Sequence, residues 1–323
     1  MSKHIREVNF MIDMRESITA KLCSFARAYH SNVGKGKIFD DYLAYDLMGQ
    51  EEYNEIGQLI ENEFDPSAFD DRYSFDGARV YPFVNRYITP IPLSRIAFAE
   101  AELQRFVKEN GVCQYVICGA GMDTFAFRND NPDIHIFELD HPDTHRFKLE
   151  RIRRLEWNIP QNVNYLSVDF SKDDMNEVLR HAGFQPDVPT FFSILGVTYY
   201  LTLPVFAETL EKINRISKSG NRLVFDFPDE TTFQKRRNMR AYQLAQITDK
   251  LGEPMQHGFT GEEIRQTLSE NGFSVMKHET PKNIQKAYFE NRTDGQSAFE
   301  NIHFILAEKT GIQKISVIAN RSA

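Results

Sequence analysis

Short apolar runs alternate with longer segments of helical periodicity from residue 114 to about residue 307. The runs predict strands at 114–118, 134–139, 164–168, 190–195, 222–227, 274–279 and 302–307. The intervening segments predict helices at 141–157, 173–181, 203–217, 233–251 and 261–271. Several runs lack polar alternation, as is typical of strands covered on both faces. The pattern therefore predicts an α/β fold built on a doubly wound, mostly parallel sheet.

The first 110 residues show no such strand pattern. Helices are predicted at 19–29, 39–48, 51–64 and 93–107. Seven aromatic residues fall between 64 and 87, namely Phe64, Phe69, Tyr73, Phe75, Tyr81, Phe83 and Tyr87. They form either the core of this helical part or the wall of a pocket for a flat, apolar ligand. The change of pattern divides the chain into residues 1–110 and 111–323.

The charge balance is acidic, with 38 Lys and Arg residues against 46 Asp and Glu residues. Nucleic acid is therefore not expected as the main partner, because phosphate binding draws on an excess of cations. No apolar run reaches the roughly 18 residues of a membrane span, and the first residues lack a signal-peptide core. Three cysteines cannot form a disulfide framework, and Cys118, inside an apolar run, is expected to be buried. These features predict a cytoplasmic protein without a membrane partner.

A glycine turn follows the first predicted strand directly, and acids follow the next two strands. The turn contains Gly119, Ala120 and Gly121, where the missing Cβ atoms let a ligand approach the backbone. Glu138 closes the second strand, and Asp169 follows the third. A carboxylate after the second strand is where nucleotide-binding α/β folds bind both ribose hydroxyls. The arrangement predicts an adenosine-containing cofactor, although such acids also serve as helix caps or turn residues.

Two cofactors suit this arrangement, a nicotinamide dinucleotide and S-adenosylmethionine. The dinucleotide requires a third small residue after the glycine turn, but this sequence has Thr124 there. The carboxylate of Asp123 would repel a pyrophosphate, whereas it suits the ammonium group of S-adenosylmethionine. S-adenosylmethionine is therefore the favoured cofactor.

The same residues resemble a known family. Residues 118–128 read Cys-Gly-Ala-Gly-Met-Asp-Thr-Phe-Ala-Phe-Arg and resemble the signature of the leucine carboxyl methyltransferase family. Residues 137–142 (Phe-Glu-Leu-Asp-His-Pro) and 196–202 (Gly-Val-Thr-Tyr-Tyr-Leu-Thr) are similar to further motifs of that family. The family includes bacterial O-methyltransferases of polyketide biosynthesis related to the tetracenomycin enzyme. The resemblance covers about residues 15–310 of the chain.

The resemblance implies a class I methyltransferase that uses S-adenosylmethionine on a Rossmann-like, seven-stranded sheet with an N-terminal helical lid. Residues 1–110 would form the lid and acceptor-binding region, and residues 111–323 the cofactor-binding domain. The cofactor-binding residues implied are Arg95, Gly119, Ala120, Gly121, Asp123, Glu138, Leu139, Asp169, Phe170 and Leu195.

Individual roles follow from the resemblance. Arg95 would meet the cofactor carboxylate, assisted by Lys21 or Arg27. Asp123 would lie close to the amino group, and Glu138 would take the ribose hydroxyls. Asp169 and Phe170 would hold the adenine.

The acceptor is indicated by a departure from the family pattern. Members that methylate a protein's terminal leucine carry a Glu shortly before the Tyr of the fourth-strand motif, where this chain has Leu195 or Ser193. The sequence therefore favours O-methylation of a hydroxyl or carboxyl of a small, aromatic or polyketide-like molecule in secondary metabolism. The alternatives are a protein C-terminal carboxyl methyltransferase, a nicotinamide-dependent oxidoreductase, and a non-catalytic protein that keeps the cofactor fold. The sequence makes no prediction of an oligomeric state.

No residue stands out as a general base. Tyr199 and Tyr200 fall in the fourth-strand motif, next to the expected site of transfer, and one of them is expected to face the acceptor. His257 and Asp226 are weaker candidates for a base. No metal site is predicted, since the i, i+4 pair at residues 141 and 145 lacks a third ligand.

Overall fold

Seven strands form one sheet in the computed structural model of the chain, which describes residues 17–33, 36–63, 80–170 and 172–310. The strands are β1 (Cys113–Cys118), β2 (Ile134–Asp140), β3 (Val163–Ser167), β4 (Thr190–Ile194), β5 (Arg222–Pro228), β6 (Phe273–Glu279) and β7 (Ile302–Lys309). Their order is β3-β2-β1-β4-β5-β7-β6, in which β7 runs antiparallel to both of its neighbours, β5 and β6, and the pairs among β1–β5 are parallel. The predicted strands and the mostly parallel, doubly wound architecture are confirmed.

Helices surround this sheet. They are α1 (Ile18–Val33), α2 (Ala44–Met48), α3 (Gln50–Glu63), α4 (Val80–Phe83), α5 (Pro90–Asn110), α6 (Phe125–Arg128), α7 (Pro142–Arg154), α8 (Met175–His181), α9 (Leu203–Ile216), α10 (Met239–Lys250), α11 (Gly261–Glu270) and α12 (Pro281–Ile284). Two π-helical turns, Val84–Ile88 and Gln285–Phe289, continue α4 and α12. Of these elements, α4, α6, α12 and both π-helical turns had not been predicted from the sequence.

Two predicted helices begin later than expected. The helix expected from residue 39 begins at Ala44, because the buried side chain of Asp41 is held in a turn by hydrogen bonds from Arg27 and Thr124. The helix expected from residue 233 begins at Met239, where the side chain of Asn238 caps it. Both segments have helical periodicity in the sequence, but the hydrogen bonds of the Asp41 and Asn238 side chains delay the start of each helix.

Both faces of the sheet are buried under helices. On one face, α5 places Phe106 against Phe191 of β4, with ring centroids 5.6 Å apart. On the other face, α9 places Phe206 against Phe225 of β5, with centroids 5.0 Å apart. Burying each phenyl ring contributes about 1.5–3 kcal/mol, which explains why the strands need no polar alternation. Because α5 packs on β4, β5 and β7, the layer over the sheet includes residues below the predicted boundary at 110.

The N-terminal helix α1 is tied to the rest of the fold at its start and near its middle. Near its start, the carboxylate of Glu253 accepts hydrogen bonds from the backbone N–H groups of Ile18, at 2.7 Å, and Thr19, at 3.2 Å. Further along, Arg27 pairs with Asp41 at 2.6 Å and donates to the carbonyl of Met122 at 2.7 Å. The glycine turn is thereby linked to a helix about 95 residues earlier in the chain.

No helix in the described part of the chain combines the length and the apolar character needed to cross a bilayer.

The order of the strands also places a crevice beyond the carboxyl ends of β1 and β4, where the crossover connections leave in opposite directions. Ligands of open α/β sheets bind at such switch points.

Candidate active site

A cavity of about 340 Å³ opens at this crevice. The glycine turn after β1 and the segment after β4 form its floor, and α1, α5 and α10 form its walls. Six of the predicted cofactor-binding residues line it, namely Arg95, Gly119, Ala120, Gly121, Asp123 and Leu195. The other four, Glu138, Leu139, Asp169 and Phe170, are not among its lining residues.

The glycine turn requires its two glycines for different reasons. Gly119 has φ 77°, and a Cβ there would lie 2.8 Å from the Val197 side chain. Gly121 has φ 53°, and a Cβ there would meet no protein atom within 4 Å, because it would point into open space at the cavity wall. The space beside Gly121 is thus available to a ligand.

The second strand ends in two acids on the same face, and the structure separates their roles. Glu138 is 2% exposed and forms a buried ion pair with Lys148 of α7. Burial raises the pKa of Glu138 to about 7, although Lys148 opposes that shift. Asp140, two residues later, lines the cavity and accepts hydrogen bonds from the N–H groups of Gly121, at 2.5 Å, and His141, at 2.7 Å. The structure therefore brings Asp140, rather than the predicted Glu138, to the cavity.

Sheet register explains the difference and was the missing signal. Cys118 pairs with Leu139, so the residues that follow, Gly119 and Asp140, lie level with each other at the edge of the sheet. Glu138 lies one pleat deeper, beside the helix that follows the strand. Only the last residue of β2 lies level with the glycine turn, and that residue is Asp140.

The predicted adenine-binding pair lies beside the cavity. The backbone N–H of Val168 donates to the carbonyl of Asp140 at 2.8 Å, which places the turn after β3 next to the cavity acid. Asp169 in that turn pairs with Lys172 at 2.5 Å. Phe170 is partly buried against the core on the α9 face of the sheet. Leu139 is fully buried in that core.

Arg95 reaches the cavity from α5 and is held by a buried acid. Its guanidinium lies 3.3 Å from Asp226, whose side chain is fully buried at the end of β5. The Tyr199 hydroxyl donates to the same carboxylate at 2.7 Å. Burial, together with the Asp226 charge, raises the pKa of Tyr199 well above its usual value. The carboxylate of Asp226 is therefore occupied by donors. Neither Asp226 nor the exposed His257, the two weaker candidates for a base, lines the cavity.

Tyr199 and Tyr200 both line the cavity, as one of them was expected to do. The Tyr200 hydroxyl donates to Thr19 of α1 at 3.0 Å, and Thr19 in turn donates to Glu253. Burial raises the pKa of Tyr200 to about 12. Tyr200 thus presents a neutral hydroxyl at the cavity wall.

Apolar side chains complete the walls on the α1, α5 and α10 sides. They are Leu22, Ile88, Ile91, Ile96, Leu244, Ile247 and Met255. Of the seven aromatic residues predicted for a pocket, Tyr87 lines the cavity. Phe83 stacks on the Tyr87 ring, with centroids 4.9 Å apart. Phe64, Phe69, Tyr73, Phe75 and the side chain of Tyr81 lie outside the described residues.

Comparison with known proteins decides the family. The sequence profile of the family described as leucine carboxyl methyltransferase matches residues 20–214. The chain belongs to this leucine carboxyl methyltransferase family. YktD of Bacillus subtilis, whose name assigns it to the S-adenosyl-L-methionine-dependent methyltransferases, is 35% identical over 299 residues. That match covers 91% of this chain and 98% of YktD. The protein is therefore an S-adenosylmethionine-dependent methyltransferase, and nothing supports the nicotinamide alternative.

Solved structures agree on the fold. A family DUF574 protein from Streptomyces avermitilis has a TM-score of 0.56 at 12% identity, covering 92% of this chain and 99% of its own. A methyltransferase-like protein from Thermobifida fusca has a TM-score of 0.50 at 17% identity, covering 72% and 86%. At these identities the likeness concerns the fold alone.

The residues of this leucine carboxyl methyltransferase family member fit the cofactor. The Nε atom of Arg95 has no hydrogen-bond partner within the described residues, which leaves donor capacity for a carboxylate. The oxygens of Asp140 each accept one backbone hydrogen bond, and Thr144 adds a side-chain hydrogen bond, so the carboxylate keeps acceptor capacity for a hydroxyl donor. The space beside Gly121 completes the match.

Cys23 provides a test of where the cofactor binds. It is half-buried on the cavity wall, whereas Cys113 and Cys118 are buried, the latter as expected from the sequence. We expect N-ethylmaleimide to label one thiol per native chain, and saturating S-adenosylhomocysteine to slow labelling by about fivefold or more by covering the thiol. Cys23→Ser gives the background rate. Equal rates with and without S-adenosylhomocysteine would contradict this placement.

Proposed function

We propose that this family member transfers a methyl group to an oxygen, preferably a hydroxyl, of a small and largely apolar acceptor such as an aromatic or polyketide-like compound. The observation that carries the proposal is the makeup of the cavity wall. Its apolar side chains come from α1, α5, α10 and the segments beside α5 and α10, and Tyr87 and Tyr200 lie among them. The Tyr87 hydroxyl donates to Gln243, so its oxygen can still accept a hydrogen bond. Such walls suit a flat ring with a few hydrogen-bonding groups.

The charges at the cavity support a neutral acceptor. Its described lining contains two cationic side chains, Arg27 and Arg95. Each is paired with a buried acid, Asp41 at 2.6 Å and Asp226 at 3.3 Å respectively. The C-terminal carboxylate of a protein would need a cation of its own, in addition to the one assigned to the cofactor carboxylate. A neutral hydroxyl has no such requirement.

Cofactor binding is assigned to the residues around the glycine turn. We assign the ribose hydroxyls to Asp140 and the methionyl carboxylate to Arg95, with Asp123 near the amino group and the Asp169 turn near the adenine. When bound, S-adenosylmethionine supplies an electrophilic methyl group on its sulfonium. The protein then needs to align the acceptor and exclude water, since alignment provides much of the rate enhancement in such transfers. The helical part, residues 1–110, would serve as lid and acceptor wall.

A hydroxyl acceptor also needs a destination for its proton. An acceptor bound against Tyr200 can donate its proton to the tyrosine oxygen while Tyr200 passes its own proton to Thr19 and Thr19 passes one to Glu253. Both hydrogen bonds of this proton relay, from Tyr200 to Thr19 and from Thr19 to Glu253, are present in the structure. Glu253 is half-exposed, so it can release the proton to solvent.

The acceptor class can be tested with methyl-labelled S-adenosylmethionine, the pure protein and a cell extract, with a Gly121→Val variant as the control. We expect label in organic-extractable small molecules that is stable to mild alkali, because methyl ethers survive alkali and methyl esters release methanol. Alkali-labile label in the small-molecule fraction would indicate a carboxyl acceptor instead. Alkali-labile label on protein would overturn the proposal in favour of a protein carboxyl.

A further inference from the structure

Asp226 is fully buried at the end of β5, yet it carries three hydrogen bonds from different elements. Its Oδ1 accepts from the backbone N–H of Gly196 at 2.7 Å. Its Oδ2 accepts from the Tyr199 hydroxyl at 2.7 Å and from Nη1 of Arg95 at 3.3 Å. A buried carboxylate is costly unless its oxygens meet donors, and here the donors come from the segment after β4 and from α5. The acid therefore joins the segment that forms the cavity floor to the α5 wall.

The guanidinium of Arg95 is confined by this arrangement. It lies so close to Gly196 that a Cβ there would be 2.5–2.7 Å from three guanidinium atoms. Its Nη2 contacts the sulfur of Cys23 at 3.5 Å, and its Nε has no partner within the described part of the chain. The contact of Nη1 with Asp226 and the close packing against Gly196 together restrict the guanidinium plane, and donor capacity remains on the buried Nε. A fixed guanidinium plane is what two-point binding of a carboxylate requires.

We propose that Asp226 is a positioning residue that holds Arg95 in the orientation that binds the methionyl carboxylate of the cofactor. This inference rests on the proposed placement of the cofactor in the cavity. This orientation effect and the charge of Asp226 predict opposite changes in cofactor affinity when Asp226 is removed. Asp226 carries the same charge as the cofactor carboxylate, so by Coulomb's law alone its removal should tighten binding. If orientation decides instead, its removal weakens binding.

The experiment compares two ligands by titration calorimetry. S-adenosylhomocysteine has the amino-acid part, and 5′-methylthioadenosine shares the adenosine and sulfur but lacks it. We expect Asp226→Asn and Asp226→Glu to weaken S-adenosylhomocysteine binding by about tenfold or more, while 5′-methylthioadenosine binding stays within about twofold. Tyr199→Phe is the matched control, because it removes another donor to the same carboxylate and leaves the Arg95 contact in place. It should change S-adenosylhomocysteine binding by less than about threefold.

A double-mutant cycle adds a second measurement. If Asp226 acts through Arg95, the variant combining Asp226→Asn with Arg95→Gln should bind S-adenosylhomocysteine no more weakly than Arg95→Gln alone. Unchanged or tighter binding in Asp226→Asn would overturn the proposal. Equal losses for both ligands, or failure of both Asp226 variants to fold, would show a structural role and overturn it as well. Failure of the wild-type protein to bind either ligand would instead reject the placement of the cofactor.

Discussion

Asp140→Ala is expected to weaken S-adenosylhomocysteine binding by about a hundredfold or more, whereas Glu138→Gln should leave it within about threefold. A carboxylate that accepts two ribose hydroxyls contributes about 1.5–3 kcal/mol for each charged hydrogen bond. Asp140 lines the cavity and also orients the N–H of Gly121. Glu138 contacts Lys148 and lies behind the cavity wall. Titration calorimetry of both variants measures the difference.

The two variants form a matched pair, since the acids are two residues apart on one strand. Glu138→Gln keeps a hydrogen-bond acceptor for Lys148 but removes the counter-charge of its buried ammonium. The substitution should therefore lower the thermal midpoint and leave the affinity for S-adenosylhomocysteine nearly unchanged. Thermal unfolding should be recorded beside each titration. A larger loss of affinity in Glu138→Gln than in Asp140→Ala would return the ribose contact to Glu138.

Gly121→Val should abolish measurable S-adenosylhomocysteine binding, a loss of at least about a hundredfold. The added side chain has no protein atom within 4 Å of its Cβ, so it would occupy ligand space rather than displace the protein. The change also forces a β-branched residue to adopt positive φ, which costs about 1–3 kcal/mol of stability. The variant is assayed by calorimetry after its folding has been verified by circular dichroism.

Gly220→Val is the control for that strain. Gly220 has φ 86°, a Cβ added there would also meet no atom within 4 Å, and the residue lies in an exposed turn away from the cavity. Both variants should therefore lose similar stability, while only the change at Gly121 should remove binding. Retained binding in Gly121→Val would show that the cofactor does not approach the glycine turn.

Local pattern was enough to predict the strands. The central strands β1, β4 and β5 are buried on both faces and read as largely apolar runs, whereas the edge strands β3 and β6 are partly exposed and more polar. It was not enough to choose between Glu138 and Asp140, since that choice depends on where β2 ends relative to β1. Nor could it pair Arg95 with Asp226, which lies 131 residues later in the chain. Contacts of this kind depend on tertiary packing, which short-range periodicity does not record. The late start of α2 has the same origin, since Asp41 binds Arg27 and Thr124 from distant parts of the chain, whereas that of α10 follows from a local cap at Asn238.

The two sides of the cavity come from different parts of the architecture. Strand ends and tight turns form the side to which we assign the cofactor, where a Cβ added at Gly119 would lie 2.8 Å from the Val197 side chain. Leu244 and Ile247 on α10, with Met255 after it, line the other side, where the proposed function places the acceptor. Exchanges among apolar residues of similar volume are well tolerated in such walls. Acceptor preference can therefore diverge between related enzymes by repacking this wall, while the capacity to bind the methyl donor is inherited intact.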